Sequence, residues 1–240
     1  MYRILIIEDD FSLAEAMKKQ IESWGNEVVC VQDFQNVLTT FTQCNPHLVL
    51  VDIMLPFFNG YHWCTEIRKI SQVPIVFISS ASAYCKPLPR LPITEDTPLD
   101  NPYWLYSRNK AACEELLLAE HARTGFPVTI VRPSHTYCER SLPVQIHGAG
   151  GAWAVLERMM QGKRVPVACD GESLWVMTTA EDFAVYFCGL LGNPAAIGEA
   201  FHITSDETIT WNQAYRALAD ILGVDYRLCY VPAWLLAQSR

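Results

Sequence analysis

The chain has 240 residues, a formal net charge of −8 at pH 7 and a hydrophobic half of its composition. That length holds one large or two small domains with a sizeable core. The acidic balance carries no basic patch and excludes nucleic acid as a partner, and no apolar run approaches the roughly 20 residues of a membrane span. Nine cysteines without a C-x-x-C pair read as reduced thiols of a soluble, cytoplasmic protein. Six histidines, none in short-spaced clusters, offer no zinc site. The chain is expected to open on a strand, with no secretory leader before it.

Strand and helix signals alternate along the chain. The apolar run Tyr2–Ile7 predicts a buried parallel strand, and Leu13, Met17, Ile21 and Trp24 mark a helix over Phe11–Trp24. A second strand is expected at Glu27–Val31, a helix around Phe34, Val37, Leu38 and Phe41, and a third strand at Leu48–Val51. Trp63, Ile67 and Ile70 place another helix before a fourth strand, Pro74–Ser79. Tyr106–Glu120 reads as a helix, Val128–Val131 as a fifth strand and Ala152–Met160 as a helix. Two capping boxes, at Thr178-Thr179-Ala180-Glu181 and at Thr210-Trp211-Asn212-Gln213, open helices ending near Gly192 and Gly223. Phe201–Thr204 and Tyr226–Val231 are the last strands. This alternation predicts an α/β fold, a three-layer doubly wound parallel sheet. Long loops rich in Pro and Gly at 85–102 and 133–150 are placed to shape a ligand cleft.

Glu8, Asp9 and Asp10 directly follow the first strand, and Asp52 ends the third. Both strand ends lie on the carboxyl edge of a parallel sheet, where ligands bind. Carboxylates crowded there repel one another, and a hard cation such as Mg²⁺ relieves the repulsion. With IIEDD at 6–10, LVLVDIMLPFFNG at 48–60 and PIVFISS at 74–80, residues 1–80 resemble the receiver domain of bacterial response regulators. The resemblance implies Glu8, Asp9 and Asp52 as Mg²⁺ ligands, Asp52 as phosphoacceptor and Ser79 as a switch hydroxyl. It also implies a lysine at the end of the fifth strand. Arg132-Pro133 occupies that slot, so Arg132 is expected to point at the Asp52 pocket.

The second part asks for different chemistry. Tyr106-Ser107-Arg108-Asn109-Lys110 is Y-x-x-x-K, which sets both side chains on one helix face. An ammonium there lowers the phenol's pKa and makes it a usable general acid/base. Together with SSASAY, VTIVRPSHTY, Asp170–Trp175 and AFHITSDETITWNQ, this makes residues 76–240 resemble the NAD-dependent epimerase/dehydratase branch of the extended short-chain dehydrogenases, a Rossmann family. The resemblance implies Ser80, Tyr106 and Lys110 as a catalytic triad, and a nucleotide-sugar cleft lined from His135 to Trp175. That family opens with G-x-G-x-x-G at a helix N-terminus. Here the turn is EDDFSLAE and the first glycine is Gly25, so no intact dinucleotide site is expected. The glycine cluster His147–Gly151 follows no strand and reads as a flexible loop.

The two resemblances meet at FISSAS, which satisfies both fourth strands. Joining them predicts a hybrid of flavodoxin-like and Rossmann sheets, with strand order 2-1-3-4-5 followed by the later strands and right-handed crossovers. A receiver-like half (1–80) and a dehydrogenase-like half (81–240) are expected to form one continuous globular domain. The functional expectation is an engineered chimeric scaffold with no intact native activity and no bound cofactor beyond Mg²⁺. An NAD-dependent nucleotide-sugar epimerase/dehydratase and an Asp52-phosphorylated signalling module are the alternatives. The expected partners are a weak nucleotide-sugar ligand and, at most, a second copy of the chain.

Overall fold

In the computed structural model, residues 1–139, 141–148 and 150–238 are described. In chain order the elements begin β1 (Arg3–Ile7), α1 (Phe11–Ser23), β2 (Glu27–Cys30), α2 (Val37–Cys44), β3 (Leu48–Asp52), α3 (Gly60–Arg68), β4 (Ile75–Ile78), α4 (Leu105–Thr124) and β5 (Val128–Pro133). They continue with β6 (His135–Tyr137), α5 (Gly151–Met160), β7 (Val165–Ala168), β8 (Leu174–Thr179), α6 (Ala180–Leu190) and β9 (Ala200–Ile203). Last come β10 (Thr208–Thr210), α7 (Trp211–Leu222), β11 (Leu228–Val231) and α8 (Ala233–Ala237).

The chain divides into two compact units, the first comprising Met1–Ser134 with Ala180–Ile203 and the second His135–Thr179 with Thr204–Arg240. The division at residue 80 expected from the sequence therefore falls inside the first unit, just after β4. That unit is built on a six-stranded sheet in the order β2-β1-β3-β4-β5-β9, parallel at every pairing. The order 2-1-3-4-5 is the one predicted, and β9 extends it.

Both faces of this sheet are covered because its strands are apolar on both sides. Leu5, Ile7, Val49, Val51, Ile75, Phe77, Val128 and Ile130 pack beneath α2, α3 and α4. The alternate residues Ile4, Ile6, Leu50, Val76, Ile78 and Val131 pack against Leu13, Met17 and Ile21 of α1 and Phe183 and Phe187 of α6. The result is the three-layer arrangement, with period-two alternation sending neighbouring side chains to opposite cores.

The second unit holds two small sheets, β10-β8-β6 and β11-β7, around a core that includes Val155, Met159, Val165, Val167, Trp211 and Tyr215. These strands have three to six residues and expose part of their length, so β6, β7, β8 and β10 leave little apolar signal in the sequence. The capping box at Thr210 is present, with Gln213 reciprocating. Thr178, expected to open the other box, lies in β8, and its Oγ1 accepts the Ser205 N–H at 2.9 Å. Within the glycine cluster, Ala149 lies outside the described residues. No helix among the described residues is long and apolar enough to cross a membrane.

Candidate functional site

The sheet order turns outward from β1 to β2 on one side and to β3 on the other, which opens a crevice at the carboxyl ends of β1 and β3. Ile7 aligns with Val51, so Glu8 and Asp9 stand level with Asp52. Carboxylate oxygens of Glu8, Asp9 and Asp52 lie within 4.8 Å of one another. Glu8 is 7% and Asp52 8% exposed, so two of the three are nearly dry. Burial, then the charge of Asp52, holds Glu8 well above the usual carboxylate range. Burial likewise raises Asp9 and Asp52, although Lys110 opposes it at Asp52.

Local hydrogen bonds fix the acidic turn. Glu8 Oε1 accepts the Asp10 N–H at 3.0 Å. Asp10 is the N-cap of α1, and its Oδ1 accepts from Ser12 N at 2.9 Å and Leu13 N at 3.1 Å. On the other side, Asp52 Oδ2 accepts the Met54 N–H at 3.2 Å. The chain then returns so closely that a Cβ at Gly60 would stand 2.1 Å from the Asp52 carbonyl oxygen. Only glycine fits this approach, and Asn59 caps the helix that starts there, accepting from His62 N at 2.8 Å.

Helix α4 brings the second set of residues to the same crevice. Lys110, 1% exposed, is ion-paired with Asp52 Oδ1 and donates to the Ile78 carbonyl at 3.0 Å. Its Nζ lies 5.3 Å from the centre of the Tyr106 ring, and Ser80 and Lys110 both act to lower the Tyr106 phenol. Ser80 also caps the short turn that follows, accepting from Ser82 N at 3.1 Å. The structure thus places Ser80, Tyr106 and Lys110 together, with Asp52 among them. The Tyr106 phenol is not lowered as the sequence pattern led us to expect. Burial raises it, Lys110 lowers it, and Asp52 adds to the rise, so it sits above the ordinary tyrosine value.

Arg132 and Ser79 go elsewhere. Although β4 and β5 are neighbours, Arg132 does not reach toward Asp52. Its Nε and Nη2 donate to Glu114 Oε2 at 2.9 and 2.7 Å, and its Nη1 to the Tyr84 hydroxyl at 2.8 Å and the Glu95 carbonyl at 3.0 Å. Ser79 donates its hydroxyl to Glu114. The expectation that Arg132 would fill the lysine slot is corrected by this geometry. A fully buried carboxylate one turn beyond Lys110 offers the guanidinium a forked match, and Lys110 takes the place beside Asp52. Sequence reasoning passed over Glu114 and Tyr84. The available signal was the four-residue spacing Tyr106, Lys110, Glu114, which lays all three along one face of α4.

Comparison with known proteins follows the same division. Residues 4–86 match the response regulator receiver domain family, and residues 61–204 match the NAD dependent epimerase/dehydratase family. The sensory transduction protein BceR of Halalkalibacterium halodurans is 45% identical over 80 residues, 33% of this chain and 35% of that protein. The response regulator protein GraR of Staphylococcus epidermidis is 45% identical over 78 residues, 32% of this chain and 35% of that protein. The chain thus spans about a third of the length of the curated relatives it matches. Among solved structures, dTDP-glucose 4,6-dehydratase from Bacillus anthracis, in complex with NAD, superposes with a TM-score of 0.78 at 17% identity, covering 97% of this chain and 85% of that one. UDP-glucose 4-epimerase of Thermus thermophilus, also with NAD, gives 0.75 at 18% identity, covering 96% and 86%. These likenesses carry the fold. With the second match covering more than half of its residues, the chain belongs to the NAD dependent epimerase/dehydratase family, while its first part matches the response regulator receiver domain family.

Proposed function

We propose that this chain is an engineered chimeric α/β scaffold in which neither parent's native chemistry is intact. One observation carries the reading: the lysine of the Tyr-x-x-x-Lys pair is ion-paired with Asp52, the acid contributed by the receiver segment. An ammonium held there does not bring Tyr106 below its ordinary pKa, so the phenol is a poor base near neutrality. The overlap of the two family matches at residues 61–86, which contains β4 and the FISSAS seam, supports a deliberate junction. Nine free cysteines suit a reducing compartment such as the cytoplasm. Weak nucleotide-sugar binding, by a monomer or a homodimer, belongs to the same reading.

The residues after β1 do not fit NAD. Where the family would place a pyrophosphate, Glu8, Asp9 and Asp10 supply carboxylates, and the Asp10 carboxylate already holds two amides of α1. No step is therefore assigned to a dinucleotide.

A second reading is favoured by the acid cluster. Glu8, Asp9 and Asp52 offer three oxygens within 4.8 Å and fit a Mg²⁺ ion by donor type. Bound there, the ion would screen the charge of an incoming phosphoryl group. Asp52 would be the acceptor, with Lys110 held beside it.

The test is direct. The protein is incubated with NAD⁺ and UDP-glucose or dTDP-glucose, and separately with acetyl phosphate and Mg²⁺. Unchanged sugar nucleotide and an unmodified intact mass are the expected results. Converted sugar overturns the scaffold reading in favour of an enzyme. A phosphoryl adduct lost in Asp52→Asn overturns it in favour of the phosphoacceptor.

A further inference from the structure

We propose that the turn between β1 and α1 is an anion cradle already filled by the chain's own side chains, and that this self-filling, rather than a misplaced helix, closes the crevice to a dinucleotide. The inference rests on the reading above that no NAD site is intact.

The helix itself is in order. α1 runs thirteen residues from the carboxyl end of β1, beside the crevice between β1 and β3. The first-turn amides of such a helix are donors that point at an approaching phosphate. Here their acceptors are internal. The Asp10 amide donates to Glu8 Oε1 at 3.0 Å, and the amides of Ser12 and Leu13 donate to Asp10 Oδ1 at 2.9 and 3.1 Å. The Ala14 amide is taken by the Asp10 carbonyl at 2.9 Å. A pyrophosphate arriving at this end would have to displace two carboxyl groups from their hydrogen bonds to these amides. It would also meet Asp9 and Asp52 beside them, in a partly dry crevice where like charges interact strongly.

Exclusion therefore has two separable parts, occupied donors and negative charge. Replacing Glu8 and Asp10 by glycine frees the donors and removes two of the four acidic groups, leaving Asp9 and Asp52. Replacing them by Gln and Asn removes the same two acidic groups and leaves side-chain oxygens able to hold the same amides. Asp10→Gly is tolerable for the helix because glycine is itself an accepted N-cap residue.

The test is a titration with NADH, read as energy transfer from the tryptophans to the nicotinamide, on the wild type, on Glu8→Gly/Asp10→Gly and on Glu8→Gln/Asp10→Asn. The expected result is no saturation in the wild type and at least about a tenfold tighter Kd in the glycine variant, with the Gln/Asn variant between them. Saturable binding to the wild type as tight as to the glycine variant overturns the inference. So does a cooperatively melting glycine variant that gains no affinity. If the glycine variant does not fold, the Gln/Asn variant decides: a gain supports the inference and no gain overturns it. Wild-type binding of NADH without conversion of a nucleotide sugar would overturn this inference alone and leave the scaffold reading standing.

Discussion

Two buried ion pairs leave helix α4 one turn apart, and they differ in what surrounds them. Glu114 and Arg132 both come from the epimerase-like segment. Their carboxylate and guanidinium meet twice over, and the remaining donors and acceptors reach Ser79, Tyr84 and the Glu95 carbonyl. Lys110 and Asp52 come from opposite sides of the seam. One ammonium there faces Asp52 with Glu8 and Asp9 crowded behind it. The first pair lies within one family match, whereas the second joins residues of the two matches and carries an unequal count of charges. A buried pair stabilises only when its remaining lone pairs and protons are also satisfied, so the two should respond differently to removal.

Removing one member of the complete pair has the largest expected effect. Glu114→Ala leaves Arg132 buried without its counter-charge and should destabilise by about 3–5 kcal/mol. The check is a fall in the urea midpoint with an unchanged slope. Glu114→Leu/Arg132→Met should recover most of that loss, because neither charge is then stranded. A double variant as unstable as the single would show that the network, and not the stranded guanidinium, carries the energy.

Lys110→Met strikes the pair made across the junction and should cost less, about 2 kcal/mol at neutral pH, because the carboxylates left behind can take up protons instead of remaining charged. The sign follows from linkage. Asp52 and Glu8 already have folded-state pKa values raised above the ordinary, and losing the ammonium raises them further. The folded state then binds more protons than the unfolded state, so the variant's stability falls as pH rises. Its deficit should shrink on going from pH 7 to about pH 5. A pH-independent deficit would mean that Lys110 acts by packing alone.

Between these and the smaller effects stands Tyr84→Phe. The hydroxyl accepts from Arg132 Nη1 at 2.8 Å in a buried setting that pushes its own pKa up to about 12. Deleting it should cost about 1 kcal/mol, the ordinary penalty for one unmet buried donor. A loss as large as that of Glu114→Ala would erase the distinction between the forked carboxylate contact and the single hydroxyl.

Much of this arrangement was legible in the residues. Continuous apolar runs such as RILII and LVLV marked strands buried on both faces, and their sheet order followed from the two resemblances. The acids at the ends of β1 and β3 converge because the strands carrying them are neighbours. The partners of the cations were harder to read. Arg132 lies near the end of β5 in the lysine slot, yet a strand position says nothing about which buried carboxylate competes for the side chain. Lys110 was legible as a neighbour of Tyr106 through helical spacing, whereas its contact with Asp52 depends on how α4 lies over β3 and β4, which no local pattern encodes. Of the second unit's short strands, β11 was read, while β6, β7, β8 and β10 were missed for the opposite reason: β8 and β10 expose their residues too evenly for alternation to show.

The smallest effect is also the one with the opposite sign. Glu8 is held protonated more tightly in the folded chain than in the unfolded one, first by burial and then by Asp52. A group with a raised folded-state pKa loses stability as pH climbs from the unfolded value, near 4.3, through the folded one. Glu8→Gln removes that loss, and its amide oxygen can still accept the Asp10 N–H that Glu8 Oε1 holds at 3.0 Å. Stability at neutral pH should rise by less than about 1 kcal/mol, and the curve of stability against pH should flatten. Thermal melts of both proteins across that range read the slope directly. A variant less stable than the parent at neutral pH would mean that Lys110 needs both carboxylates, and the pair across the junction would then be as well supplied with partners as that of Glu114 and Arg132.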